Sequence, residues 1–177
     1  MPEPRIIPIA AAPARPAQPA AGPWQSRLTA SPPLALYVHF PWCVRKCPYC
    51  DFNSHPLAGE VPEAEFLAAV EADLAAEAER AGGRPIDTVF FGGGTPSLLS
   101  GEALARLMAA IRRHLPLAPN AEVTLEANPG TFEAARFAAY AQAGVNRLSL
   151  GVQSFDDAAL RRLGRIHDGA QARAALA

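Results

Sequence analysis

The chain has 177 residues, and its 16 Lys and Arg residues nearly balance 17 Asp and Glu residues, which leaves a formal net charge of −1 at pH 7. Acids and bases are mixed along the chain, so the charge pattern does not suggest binding to nucleic acid or to a membrane surface. No apolar run approaches the ~18 residues of a membrane-spanning helix. Prolines interrupt every apolar run in residues 1–22, which therefore lack the apolar core of a secretory signal. These features predict a cytoplasmic protein.

Residues 1–33 are rich in proline and alanine and show no apolar period. This composition is typical of a disordered or polyproline-like extension. Folded sequence is expected to begin near residue 34 and to form a single domain over residues 34–177.

Strand-like and helix-like segments alternate along residues 34–177. The four predicted strands, rich in Val, Leu, Phe or Tyr as buried parallel strands are, cover residues 34–40, 88–91, 122–126 and 147–151. The predicted helices cover residues 62–81, 100–115 and 131–144, and a fourth starts near residue 156, breaks near residue 164 and restarts at residue 168. Such alternation predicts an α/β fold of parallel strands with right-handed crossovers.

The number of strand–helix units limits the possible architectures. Four units are too few to close an eight-unit barrel, and the chain stops inside a helical stretch. The sequence is therefore compatible with a small open sheet or with the first part of a longer barrel. Since nothing near residue 177 resembles a domain boundary, a truncated barrel is the favoured interpretation.

The three cysteines of the chain, Cys43, Cys47 and Cys50, lie within eight residues of one another. An odd, clustered set is unlike a secreted disulfide framework and indicates a metal or redox site. Thiolates bind both zinc and iron–sulfur clusters. A structural zinc site needs four protein ligands, and only His39 and His55 are nearby candidates for the fourth. Three sulfurs suit a cubane cluster that keeps one iron open, so the spacing favours an iron–sulfur site over zinc.

Unusual residues follow each predicted strand, where sites form in parallel α/β proteins. These segments are residues 41–50, 92–97, 126–130 and 151–154. The glycine run at 92–94 is not a phosphate loop, because no G-K-[ST] follows it. It is either a plain tight turn or a place where the backbone approaches a ligand closely. The four segments together predict one site at one rim of the sheet.

Several polar side chains are candidates for that site. Glu126 is either a solvated acid at a strand end or a carboxylate that meets a cation or hydrogen-bond donors. Gln153 and Arg165 can be interpreted in the same way, and Arg165 could bind a carboxylate bidentately. His39 and His167 remain open between a binding role and a structural role.

Taken together, these residues resemble the radical SAM enzymes, and within them the oxygen-independent coproporphyrinogen III oxidase-like group. The three-cysteine loop is the signature of the superfamily. The narrower match rests on residues 36–41, 92–97, 126–130 and 148–155. The resemblance covers residues 34–177, and members of the group continue well beyond this length, which again predicts truncation.

The resemblance implies a partial (β/α)6 barrel with a [4Fe–4S] cluster and S-adenosylmethionine (SAM) at its mouth. Cys43, Cys47 and Cys50 would hold three irons, and the amino and carboxylate groups of SAM would chelate the fourth. One electron from the cluster would then cleave the sulfonium bond to give methionine and a 5′-deoxyadenosyl radical. The residues that the resemblance places around SAM are Tyr37, Tyr49, Gly93, Gly94, Thr95, Glu126, Gln153 and Arg165.

One departure from the group pattern bears on the activity. Coproporphyrinogen dehydrogenases carry a further cysteine two residues after the third, whereas this chain has Phe52 there. The segment 50–54 resembles instead the heme chaperone branch, HemW. That likeness implies heme or a porphyrin as ligand, a heme-acceptor protein and an electron donor as partners, and a heme site outside this chain. The alternatives are oxidative decarboxylation of coproporphyrinogen III and a zinc-stabilised binding module without chemistry.

Overall fold

The computed structural model describes residues 30–131 and 134–176. The predicted extension, residues 1–33, lies outside the described residues except at its last four positions, and its disorder stays a prediction. Residues from Pro33 onward form one compact unit.

Six strands and five helices build the described part of this unit. The strands are β1 (Leu34–Phe40), β2 (Trp42–Cys43), β3 (His55–Pro56), β4 (Ile86–Gly93), β5 (Leu117–Ala127) and β6 (Arg147–Leu150). The helices are α1 (Glu63–Ala81), α2 (Gly101–His114), α3 (Ala134–Ala143), α4 (Asp157–Arg162) and α5 (Gly169–Ala174). Short 3-10 turns follow β4 at Pro96–Leu98 and β5 at Pro129–Thr131.

The main sheet has the strand order β1-β4-β5-β6, and all of its pairs are parallel. This confirms the predicted α/β class and the four predicted strands. Two strands begin earlier than predicted, β4 at Ile86 and β5 at Leu117, and these two residues pair with each other. A register shift between Ile86 and Thr88 lets β5 include Pro119, which looks like a turn signal in the sequence.

The helices begin and end close to their predicted boundaries. Helix α1 stops at Gly82, whose φ of 60° is left-handed. Asp156 and Asp168 cap α4 and α5, and Gly164 with a φ of 70° separates them, as the sequence predicts. The predicted third helix includes residues 132 and 133, which lie outside the described residues.

The core lies between one face of the sheet and helices α1 to α3. Helix α2 contributes Leu104, Leu107, Met108 and Ile111, which are completely buried at the spacing of a single helix face. Burial of each such side chain stabilises the fold by roughly 1.5–3 kcal/mol. Because side chains alternate along a strand, the opposite face of the sheet is left to the other residues of each strand.

The start of α2 is tied to the start of α1. Ser100, where the second helix is predicted to begin, caps α2 by accepting a hydrogen bond from Ala103 N at 3.0 Å. The Glu63 carboxylate in turn accepts hydrogen bonds from the Ser100 backbone N–H and, at 2.8 Å, from its hydroxyl. The first turns of two helices thus share one charge-assisted network.

Replacement of Glu63 by glutamine is expected to lower the free energy of unfolding by about 1–2 kcal/mol, because bonds to a charged acceptor become weaker neutral ones. Urea unfolding measures this loss. Glu65→Gln is the matched control, since Glu65 is an exposed acid of the same helical turn. Equal effects of the two substitutions would show that the network contributes nothing beyond the charge of the turn.

Candidate cofactor site

The four predicted rim segments meet at the carboxyl ends of the strands. They line one cavity of about 330 Å³, a size suited to a small ligand. All the predicted site residues line this cavity except Tyr37. Arg45, Phe52 and Asn128, which were not among the predicted site residues, line it as well.

A small parallel pair of strands closes the cysteine loop at its base. In β2 and β3, Trp42 pairs with His55 and Cys43 pairs with Pro56. The Leu57 backbone N–H donates to the Cys43 carbonyl at 2.8 Å. Cys43 is therefore held at the start of a closed loop rather than on a free strand end.

The lysine of the cysteine loop fixes its second half. Lys46 Nζ donates hydrogen bonds to the backbone carbonyls of Phe52, at 2.9 Å, and Ser54, at 3.0 Å. The Cys50 N–H donates to the Cys47 carbonyl at 3.1 Å and forms a tight turn between these two thiols. Sequence reasoning missed the role of Lys46, because a lysine beside cysteines carries no signal that it will bind backbone atoms six to eight residues away.

Tyr37 reaches the cysteine loop indirectly. Its hydroxyl lies 3.1 Å from His39 Nδ1, and His39 Nε2 lies 2.7 Å from the Asn53 carbonyl. Because a carbonyl can only accept, Nε2 carries the proton, and Nδ1 accepts from the Tyr37 hydroxyl. His39 is therefore a structural residue with both ring nitrogens bonded. Tyr37 itself lines a separate cavity beside α1, and its contact with SAM stays a prediction.

The glycine run packs against the backbone that leads into the cysteine loop. Gly94 N donates to the Phe40 carbonyl at 2.6 Å, and Thr95 N donates to the Trp42 carbonyl at 2.7 Å. A Cβ atom on Gly94 would lie 2.7 Å from the carbonyl carbon of Trp42 and 2.9 Å from the backbone nitrogen of Trp42. The close approach that glycine permits here is therefore an approach to the cysteine loop.

Gly93 connects the run to Glu126. Its φ of 111° is left-handed, and a Cβ atom there would lie 2.6 Å from the His39 ring. Its N–H donates to Glu126 Oε2 at 3.2 Å. Burial raises the pKa of Glu126, and this hydrogen bond lowers it. Glu126 is thus a half-buried carboxylate that faces the cavity, and it is not a fully solvated acid at the end of a strand.

Arg165 joins the opposite wall of the cavity to the cysteine loop. Its Nη1 lies 3.4 Å from Cys47 Sγ, and its Nη2 donates to the Gly151 carbonyl. Its Nε is buried and has no hydrogen-bond partner among the described residues. Burial raises the pKa of Tyr49, as does the neighbouring Cys47 thiol, while the positive charge of Arg165 lowers it.

The residues fit an iron–sulfur cluster with a bound polar cofactor. Cys43, Cys47 and Cys50 are free thiols, partly exposed, and they share one cavity. Within residues 30–131 and 134–176, no three His, Cys, Asp or Glu side chains are already gathered around a metal position. The unpaired Nε of Arg165 and the half-buried Glu126 are polar groups that such a cofactor could satisfy.

A parallel α/β sheet with a three-cysteine loop over its carboxyl rim defines the class of protein. The chain belongs to the Radical SAM superfamily, whose family pattern matches residues 37–177. Membership implies a [4Fe–4S] cluster and SAM. The predicted family is thereby confirmed.

Individual relatives show which members of the superfamily this chain resembles. Over 144 residues the chain is 58% identical to heme chaperone HemW of Escherichia coli strain K12, covering 81% of this chain and 38% of that protein. Over 167 residues it is 44% identical to the mitochondrial radical S-adenosyl methionine domain-containing protein 1 of Bos taurus, covering 92% of this chain and 36% of that protein. The predicted likeness to the heme chaperone branch is confirmed, and the chain spans less than two fifths of these relatives.

A solved structure supports the predicted barrel. The coproporphyrinogen III oxidase HemN from Escherichia coli, described as a Radical SAM enzyme, matches with a TM-score of 0.75 and 32% identity. The match covers 81% of this chain and 33% of HemN.

In the described part of this chain, no helix is both long enough and apolar enough to cross a membrane.

Proposed function

We propose that this chain is the cluster-binding and SAM-binding part of a heme chaperone of the radical SAM type. The observation that carries the proposal is that its three cysteines, and no fourth, line one cavity together with the polar residues of three other strand ends. Three thiolates leave one iron of a cubane open to a cofactor. When bound, that cluster supplies the electron for reductive cleavage of the sulfonium of SAM.

The residues of the cavity have different proposed roles in binding the cluster and SAM. Cys43, Cys47 and Cys50 hold three irons, while Arg165 places its positive charge beside the Cys47 sulfur. The half-buried Glu126 accepts hydrogen bonds from the amino or hydroxyl groups of SAM. The remaining proposed SAM contacts are Tyr37, Tyr49, Gly93, Gly94, Thr95 and Gln153.

Phe52 supports heme handling over porphyrinogen oxidation. It lines the cavity, and 57% of its surface is exposed. The coproporphyrinogen dehydrogenases that this chain resembles carry a further cysteine at this position. The 58% identity to a heme chaperone favours the same function. Heme transfer to an acceptor protein, an electron donor and a cytoplasmic location belong to this proposal, with the heme site outside the present residues.

Oxidation of coproporphyrinogen III is the second candidate, because the fold matches HemN with a TM-score of 0.75. The two functions share the cluster site and differ in what the complete protein does with a porphyrin. Phe52 is the residue of this chain that separates them.

Anaerobic reconstitution with iron and sulfide tests the cluster. We expect a brown protein with about four irons per chain. Stoichiometric zinc without a visible band would instead identify a zinc-stabilised binding module. Heme titration of the complete protein should give a Soret band, whereas anaerobic turnover of coproporphyrinogen would contradict the chaperone assignment.

A further inference from the structure

His167 joins two rim segments of the cavity without lining it. The side chain is buried, with 4% of its surface exposed, in the segment between α4 and α5. Its Nε2 lies 3.0 Å from the Val152 carbonyl, just after β6. Its Nδ1 lies 3.2 Å from Asn128 Oδ1, just after β5. One imidazole ring therefore spans the carboxyl ends of two neighbouring strands.

The segment on the β6 side is strained. Gln153 has a φ of 68°, a left-handed conformation that residues other than glycine rarely adopt. The Ser154 N–H donates to the Val152 carbonyl at 2.9 Å and closes a three-residue turn over Gln153. Such strain persists only where the surrounding structure fixes the backbone. The Val152 carbonyl, which His167 also contacts, is the acceptor that fixes it.

The hydrogen-bond partners also limit the possible positions of the proton on the His167 ring. Asn128 Oδ1 accepts from the Gly130 N–H at 3.1 Å, which identifies this atom as the amide oxygen. Both ring nitrogens thus face oxygen acceptors, and a neutral imidazole has only one N–H to donate. The neutral ring therefore donates to one of these two oxygens, and the Val152 carbonyl, at 3.0 Å, is the nearer of them.

Electrostatics favour that neutral ring near pH 7. Burial lowers the pKa of His167, and the nearby positive charge of Arg165 lowers it too, whereas the Val152 carbonyl and Asp168 raise it. Because the folded-state pKa lies below its unfolded value, protonation costs stability as the pH falls through the folded-state pKa. Near pH 7 the ring is therefore neutral and has a single N–H to donate.

From these contacts we infer that His167 is a positioning residue. Its Nε2–H bond to the Val152 carbonyl holds the strained turn that presents Gln153 to the cofactor cavity. The inference extends the proposed SAM site, since Gln153 is one of its contacts.

Two conservative substitutions separate the bonds of the ring. His167→Gln keeps a donor near the position of Nε2, and His167→Asn keeps a donor near that of Nδ1. In the complete reconstituted protein, the dissociation constant for SAM should stay within about twofold in His167→Gln. The dissociation constant should rise about fivefold to tenfold in His167→Asn and His167→Ala, because each of these variants loses one hydrogen bond. Equal affinities in the Gln and Asn variants would overturn the inference.

Amide hydrogen exchange at Ser154 gives a readout without any cofactor. Opening of the turn should accelerate Ser154 exchange in His167→Asn and not in His167→Gln, while nitrogen NMR at pH 7 should find the ring proton on Nε2. Unchanged exchange in both variants would contradict the inference. If the wild-type protein fails to bind SAM while the two variants show the expected exchange pattern, the proposed function is overturned and the positioning role stands.

Discussion

Replacing Gly94 by alanine is expected to reduce the iron of the reconstituted protein from about four per chain to less than about one. A Cβ atom at this position would lie within 3 Å of three backbone atoms of Trp42. Backbone atoms cannot rotate away as a side chain can, so β2 must shift. The hydrogen bond from Thr95 N to the Trp42 carbonyl would be lost with it. Since Cys43 follows Trp42 directly, one of the three thiols would leave its position.

Iron analysis and the visible spectrum after anaerobic reconstitution measure this effect, and urea unfolding should show a loss of roughly 1–3 kcal/mol. Gly59→Ala is the control. Gly59, unlike Gly94, has a left-handed φ, 89°, and no described atom lies within 4 Å of its Cβ position. It should lose about 1–2 kcal/mol from backbone strain and keep its iron. A Gly94→Ala protein with a full complement of iron would show that the cysteine loop does not depend on this contact.

The convergence of the site was predictable because it follows from topology. Parallel strands put their carboxyl ends at one edge, so four unusual segments after four strands had to meet there. The helix caps were predictable for a local reason, since Ser100, Asp156 and Asp168 each bond to the backbone three residues onward. Both kinds of prediction use information that lies within one segment or in the order of segments.

The parts that could not be predicted depend on contacts between distant residues. Strands β2 and β3 have two residues each, which is too short for any apolar period to appear. The glycine run was ambiguous between a turn and a ligand contact, because only the fold shows that Gly94 faces the Trp42 backbone. No sequence signal indicates that the Tyr37 hydroxyl bonds to His39, and the contact of Tyr37 with SAM stays a prediction. In each case the sequence identifies a special residue without showing its partner.

Glu126→Gln is expected to weaken SAM binding by about 10-fold to 100-fold at pH 7, the usual loss when a charged acceptor becomes neutral. The same substitution should make the cofactor-free protein more stable at this pH. Burial raises the folded-state pKa of Glu126 above its unfolded value, so the wild-type protein loses stability as the pH rises through the folded-state pKa. Glutamine does not titrate, and its amide oxygen can still accept from Gly93 N.

Two measurements together test this role of Glu126. Urea unfolding of the cofactor-free protein should favour Glu126→Gln by more at pH 7 than at pH 5, while titration with SAM should show the weaker binding. Glu122→Gln, on the same strand and paired with Arg147 at 3.2 Å, is the control and should show neither effect. A Glu126→Gln protein that binds SAM as tightly as wild type would remove Glu126 from the site. A loss of both stability and affinity would mean that Glu126 supports the fold. A gain of stability together with a loss of affinity identifies a carboxylate whose charge serves to bind the cofactor. The reason is that this charge lowers the stability of the cofactor-free fold.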